Sequence, residues 1–270
     1  MPAKKTEITI GFTPHFPSFV EKELPLMEKA DLILVELPQE YIRELSKGTS
    51  PKELAWRTNF PETVEKQLTQ IKKLMDAGKS VLGYEVWHDP SMWTPRELKK
   101  VEKIQDEMGV EKRKQMFFPS SSRSRQLIAE AAKFREDKSL KIIKGIIPKF
   151  GGKKVYISAG QAHTRIFHGL KKLSEKNVTV RAEFFDRGKV IPSAVIFSPE
   201  VEEMRMYTFG IAKKNPEKMK RLEKQADDFS MDKASLQMKY MRMGLTQEQA
   251  AERAKYETLK EWVPKRRLRR

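Results

Sequence analysis

Two stretches far apart in this chain repeat one pattern, and the repeat narrows what the chain can fold into. The first runs Ile8-Thr-Ile-Gly-Phe-Thr-Pro-His15, passes through a helix-forming segment and ends in Leu32-Ile-Leu-Val-Glu36. The second runs Val155-Tyr-Ile-Ser-Ala-Gly-Gln-Ala-His163, passes through another such segment and ends in Val178-Thr-Val-Arg-Ala-Glu183. Glu36 follows His15 by 21 residues, and Glu183 follows His163 by 20. Each unit reads as a strand, a tight turn bearing His, a helix and a second strand closing on an acid. Alternating strands and helices give an α/β protein whose sheet is mixed or largely parallel. Such sheets collect ligands beyond the carboxyl ends of their strands, where both histidines fall. Folded face to face, the two units bring two imidazoles and up to two carboxylates together.

Between and after the units the chain is well punctuated. Pro61 and Gly78 bracket a helix over 61–77 whose apolar face is Val64, Leu68, Ile71, Leu74 and Met75. Residues 80–86 read as a strand. Thr94-Pro95-Arg96-Glu97 is a capping box opening a helix to about 108, and 123–135 form another. Residues 189–197 read as one or two short strands, at an edge because of Pro192, and 203–212 as a further strand. Thr246-Gln-Glu-Gln249 opens a helix over 250–263 that Pro264 is expected to stop. We therefore divide the chain into an α/β domain over 1–210 and a basic helical C-terminal extension over 211–270. Met231, Met238, Met241 and Met243 in that extension suit packing against the body, or an adaptable partner surface.

Charge and composition set limits. The net charge is +17, and 211–270 carry 17 Lys/Arg against 9 Asp/Glu, ending in Lys265-Arg-Arg-Leu-Arg-Arg270. Such a tail attracts nucleic acid or another anionic partner, or simply solubilises the terminus. The chain has no cysteine, which excludes disulfides, a thiolate nucleophile and thiolate metal sites. No segment reaches the roughly 20 apolar residues of a membrane span, and the N-terminus lacks a signal-peptide core. The expectation is a soluble cytoplasmic protein. Phosphate-binding glycine loops, the Gly-x-Ser-x-Gly elbow and His-Glu-x-x-His are all absent.

Of the four histidines, His15 and His163 stand out because small or turn-forming residues precede each one after a strand. A neutral imidazole there can bind a divalent metal or act as a base. His168 lies five residues after His163, off the three- or four-residue spacing that shares a helix face. Glu85 and Glu183 are further acids at strand ends, and Trp87-His88-Asp89 reads as a loop.

These segments resemble the TraB/Tiki family, within the wider superfamily of erythromycin esterase-like and ChaN-like proteins. Phe12-Thr-Pro-His15 stands where that family has Gly-Thr-x-His, and Ala30-Asp-Leu-Ile-Leu-Val-Glu36-Leu37 matches its strand ending Val-Glu-Leu. Arg123-Ser-Arg-Gln-Leu-Ile128 takes the place of its arginine-led helix start, and Ala159-Gly-Gln-Ala-His163 that of Gly-x-Gly/Ala-His. The three matches occur in family order over about residues 7–186. The chain departs from the pattern at Phe12, at Ser124 and in lacking the membrane segments of some relatives. The resemblance implies a metal-assisted hydrolase of a peptide, amide or ester. It makes His15, Glu36 and His163 ligands of manganese, cobalt or zinc, with Glu36 and His163 also catalytic and Arg123 stabilising an anion. The alternative is a non-catalytic regulatory or scaffold relative that binds a partner, or a second copy of itself, through the basic extension.

Overall fold

A computed structural model describes residues 5–58, 60–86, 93–114, 121–161, 163–173, 178–186, 189–191 and 198–267. The chain forms two compact units, one from 1–92 and 134–195, the other from 93–133 and 196–270.

The first unit is built on a sheet of order β3-β2-β4-β1-β5-β6. Its strands are β1 Thr6–Thr13, β2 Leu32–Pro38, β3 Ser80–Glu85, β4 Lys154–Gly160, β5 Val178–Asp186 and β6 Lys189–Ile191. The first five run parallel, and β6 pairs antiparallel with β5 at the edge. The repeated units are interleaved within this one sheet and do not face each other as two layers. From β1 to β2 the chain passes over β4; from β4 to β5 it passes over β1. Interleaving makes β1 and β4 neighbours, so the turns bearing His15 and His163 open side by side.

The connecting helices cover both faces, which is why the strands are apolar on both sides. On one face α1 Pro17–Met27, α2 Gln39–Ser46, α3 Pro51–Ala55 and α4 Pro61–Asp76 pack on Ile33, Val35, Leu37, Val81 and Tyr156. On the other, the second half of α6 Ser122–Ile146 and the helix α7 Thr164–Lys171 pack on Ile8, Ile10, Phe12, Leu32, Leu34, Val155 and Ile157. Gly11 leaves room for the Tyr156 side chain of neighbouring β4 to lie across β1 towards Glu23, since a Cβ there would fall 1.8 Å from the Tyr156 hydroxyl.

The second unit holds α5 Pro95–Lys114, the first half of α6, α8 Pro199–Thr208, α9 Pro216–Arg242 and α10 Gln247–Arg267. The Thr94/Glu97 box closes reciprocally, at 3.0 and 3.3 Å, as does the Thr246/Gln249 box. Buried Arg125 joins the helices by pairing with buried Glu203 on α8 and with Asp227 on α9. The α9–α10 hairpin closes on Tyr240, Ala250 and Ala254.

Four expectations need correction. Residues 203–212 form no strand; Ser198 caps a helix that has Pro199 at its first turn and Glu200 and Glu202 to complement the dipole. The division at 210/211 falls inside the second unit, because α8 packs on α9 and 93–133 belong with them. The helix expected to stop at Pro264 continues to Arg267. The exposed methionines of the C-terminal helices, Met231, Met238, Met241 and Met243, do not do the packing; Met219, Leu222, Ala226 and Phe229 are the buried residues of α9. Pro192 and Trp87-His88-Asp89 lie outside the described residues. No helix among the described residues is long and apolar enough to cross a membrane.

Candidate functional site

The carboxyl ends of β1, β2, β3 and β4 converge on Glu36. Strand alternation turns Glu36 to the same face as Leu32 and Leu34, towards α6. One carboxylate oxygen accepts from the backbone N–H of Gly160 at 2.8 Å and lies 3.4 Å from His15 Nε2. The other accepts from Arg135 Nη2 at 2.5 Å and lies 3.0 Å from His163 Nε2. Burial alone would raise this carboxyl, but the charges of His163, Arg135 and His15 overcome it and hold the pKa well below 4.5. Glu36 is a fixed anion at the centre of the site.

Arg135 reaches the site from α6 and binds more than Glu36. Its Nε lies 3.3 Å from Glu85 at the end of β3, and its Nη2 lies 2.7 Å from His163 Nε2. His163 is the N-cap residue of α7 and is buried, with Nδ1 2.7 Å from Glu136. Nδ1 donates to Glu136, which leaves Nε2 to accept from Arg135 when the ring is neutral or to donate to Glu36 when it is charged. Burial would lower the pKa of His163, but the Glu36 and Glu136 carboxylates push it up to about 9 against the pull of Arg135. Arg165 closes this side, 3.6 Å from Glu136 and 2.7 Å from Asp137.

His15 is held differently. Its backbone is left-handed, with φ 53°, which costs a residue with a Cβ roughly 1 kcal/mol. Its side chain is 43 % exposed. Gly160 lies between the two imidazoles: a Cβ there would sit 2.2 Å from His15 Nε2 and 3.1 Å from His163 Cδ2. Beneath β1 and β4, on the α1 face, Glu23 is buried and accepts from Tyr156 Oη at 2.8 Å and Ser158 Oγ at 3.1 Å. Burial pushes its pKa up to about 7 although both hydroxyls, and the charge of His15, pull it down.

Of the residues singled out in the sequence, His15, Glu36 and His163 meet at one site, and Glu85 joins them through Arg135. Arg123 is not the arginine on Glu36. It is half-exposed in the second unit and pairs with Glu107, about three turns earlier on α6 than Arg135. Glu183 lies on the sheet face opposite to Phe184, the Tyr156 side, and its charge acts on that phenol. The three expected metal ligands come together, but as placed they do not form a metal cradle. The Arg135 guanidinium lies against both Glu36 and His163 Nε2, where a cation bound to these two donors would need to sit. Among the described residues no group of three His, Cys, Asp or Glu is arranged to hold a metal.

Arg135, Glu136 and Glu23 escaped the sequence reading, although two of them leave a trace. Glu136 precedes Leu140 and Ile143 by four and seven residues, on their apolar stripe, and Glu23 lies four from Phe19 and four from Met27. An acid on a helix's apolar stripe calls for a buried partner. No family model, no curated protein and no solved structure matches this chain.

Proposed function

We propose that this chain is a hydrolase of a peptide, amide or ester bond, as its TraB/Tiki resemblance implies, with His15 as general base. The observation that carries this reading is the half-exposed His15 ring, held in strained backbone beside an anion that is itself fixed on every side. His15 Nε2–H faces Glu36, so water donates a proton to the other ring nitrogen, Nδ1, as its oxygen attacks the substrate carbonyl, and Glu36 stabilises the imidazolium that forms. Arg135, partly open to solvent and anchored by Glu36 and Glu85, faces the negative charge that develops on the carbonyl oxygen. When the tetrahedral intermediate collapses, the proton on His15 passes to the leaving amine or alcohol.

The donor set as placed supports a reaction without a metal, and no step above uses one. Turnover of a panel of aryl esters and short peptides, measured with chelator and with added manganese, cobalt or zinc, tests both points. Activity that survives chelation and falls in His15→Ala supports the reading. Activity appearing only with added metal overturns the metal-free assignment. A His15→Ala variant as active as wild type overturns the role of His15.

A second reading rests on the exposed methionines of α9 and the positive charge of 211–270: the C-terminal helices bind an anionic partner. Binding of a nucleic acid at low salt that is lost on deleting 264–270 supports it, and undiminished binding by that truncated chain counts against it.

A further inference from the structure

Among the described residues of the first unit, two large apolar side chains are exposed, Trp56 at 70 % and Phe60 at 56 %. They lie four residues apart in the connection between α3 and α4. Single exposed apolar residues are ordinary, but these share one short connection, and described residues beside them are held in place. Leu54 and Ala55 just before it are buried, Arg57 pairs with Glu44 at 2.9 Å, and Thr58 Oγ1 donates to the Ala55 carbonyl at 2.8 Å.

The segment is also tied to the catalytic turn. Thr63 Oγ1 donates to the backbone carbonyl of His15 at 3.4 Å. Phe60 caps α4, and its carbonyl accepts from Val64 N at 2.9 Å, so it stands within one helical turn of Thr63. Ligand sites pair a few convergent polar groups with apolar and aromatic walls. The polar cluster around Glu36 has the first component, and Trp56 and Phe60, linked to the His15 turn through Thr63, offer the second.

Resting on the hydrolase reading above, we propose that Trp56 and Phe60 form a rim that holds the aryl part of the substrate, so that the preferred substrates are aryl esters or amides. Flat rings gain from offset or edge contacts with such side chains beyond the area they bury, whereas small alkyl groups gain only by area.

The test uses the full chain and 2-acetonaphthone, an aryl ketone with no bond to hydrolyse, titrated by calorimetry. Trp56→Ala and Phe60→Ala should each weaken its binding by roughly three- to tenfold, while Met238→Ala on α9 leaves it unchanged. Both aromatic positions are exposed, so these variants should keep their fold, and far-ultraviolet circular dichroism checks that. In parallel, KM for 2-naphthyl acetate should rise by a similar factor in both variants with kcat retained, while KM for methyl acetate stays constant. Wild-type affinity for the ketone in both variants would overturn the rim. Loss of ketone binding in both, with His15→Ala still fully active, would keep the rim and sink the hydrolase mechanism, so the two failures are distinguishable.

Discussion

His15 and His163 hold equivalent places in the repeat, yet the structure gives them opposite surroundings. Each follows a parallel strand, each ring lies against Gly160 and each reaches Glu36. His163 is buried, and both its ring nitrogens are engaged, by Glu136 on one side and by Glu36 and Arg135 on the other. His15 is half-exposed, sits in left-handed backbone and has Glu36 as its ion partner. The cause is α6, which lies on the face that Glu36 and His163 share and delivers Arg135 and Glu136 there. The difference separates a ring that can meet a substrate from a ring that organises the site.

Alanine at each histidine breaks the comparison most sharply. His15→Ala should lower turnover by about 10²- to 10⁴-fold and change stability by no more than about 0.5 kcal/mol, read from steady-state kinetics and urea melts. His163→Ala leaves Glu136 buried without the imidazole and Glu36 short of one partner, and should cost about 3 kcal/mol of stability. If both variants lose stability equally and neither loses turnover selectively, the division of labour is wrong.

Glu23 offers a comparison across the sheet, because it is the acid of the α1 face as Glu36 is of the α6 face. Cations hold Glu36 charged, whereas Glu23 has hydroxyl partners and a pKa raised to about 7 from an ordinary 4.5. Between those values the native state keeps a proton that the unfolded chain has released, so rising pH favours unfolding. The penalty starts near pH 4.5, is complete above about pH 7 and amounts to at most about 3 kcal/mol. Glu23→Gln removes the titration. Its urea stability should match wild type near pH 4.5 and exceed it at pH 8; parallel curves across that range would show that Glu23 does not titrate with folding.

The α/β alternation and the strand-end histidines were legible because strand, turn and helix signals are local, and the repeat presented them twice. The partners of those histidines were not. Arg135 and Glu136 lie on a helix rich in charge, where Arg123 and Arg135 look alike until the sheet fixes which turn of α6 stands over β2 and β4. Residues 203–208 are helical and not extended because Ser198 and Pro199 start a helix that nothing within those residues interrupts. Interleaving itself was hidden, since the order of strands in a sheet depends on contacts that no single segment encodes.

The smallest effect tests the strain at His15. A residue with a Cβ at φ 53° costs roughly 1 kcal/mol, and glycine relieves that cost but adds freedom to the unfolded chain. His15→Gly should therefore be more stable than His15→Ala by about 0.5–1 kcal/mol, with Asn between them because its short polar side chain tolerates the left-handed region. All three should lack the activity of wild type, which separates the backbone from the ring. At position 163, where φ is −84°, glycine has no strain to relieve, so His163→Gly should be no more stable than His163→Ala. The same order of glycine over alanine at both positions would mean that the turn at His15 stores no strain, and would remove the backbone part of the contrast between the two histidines.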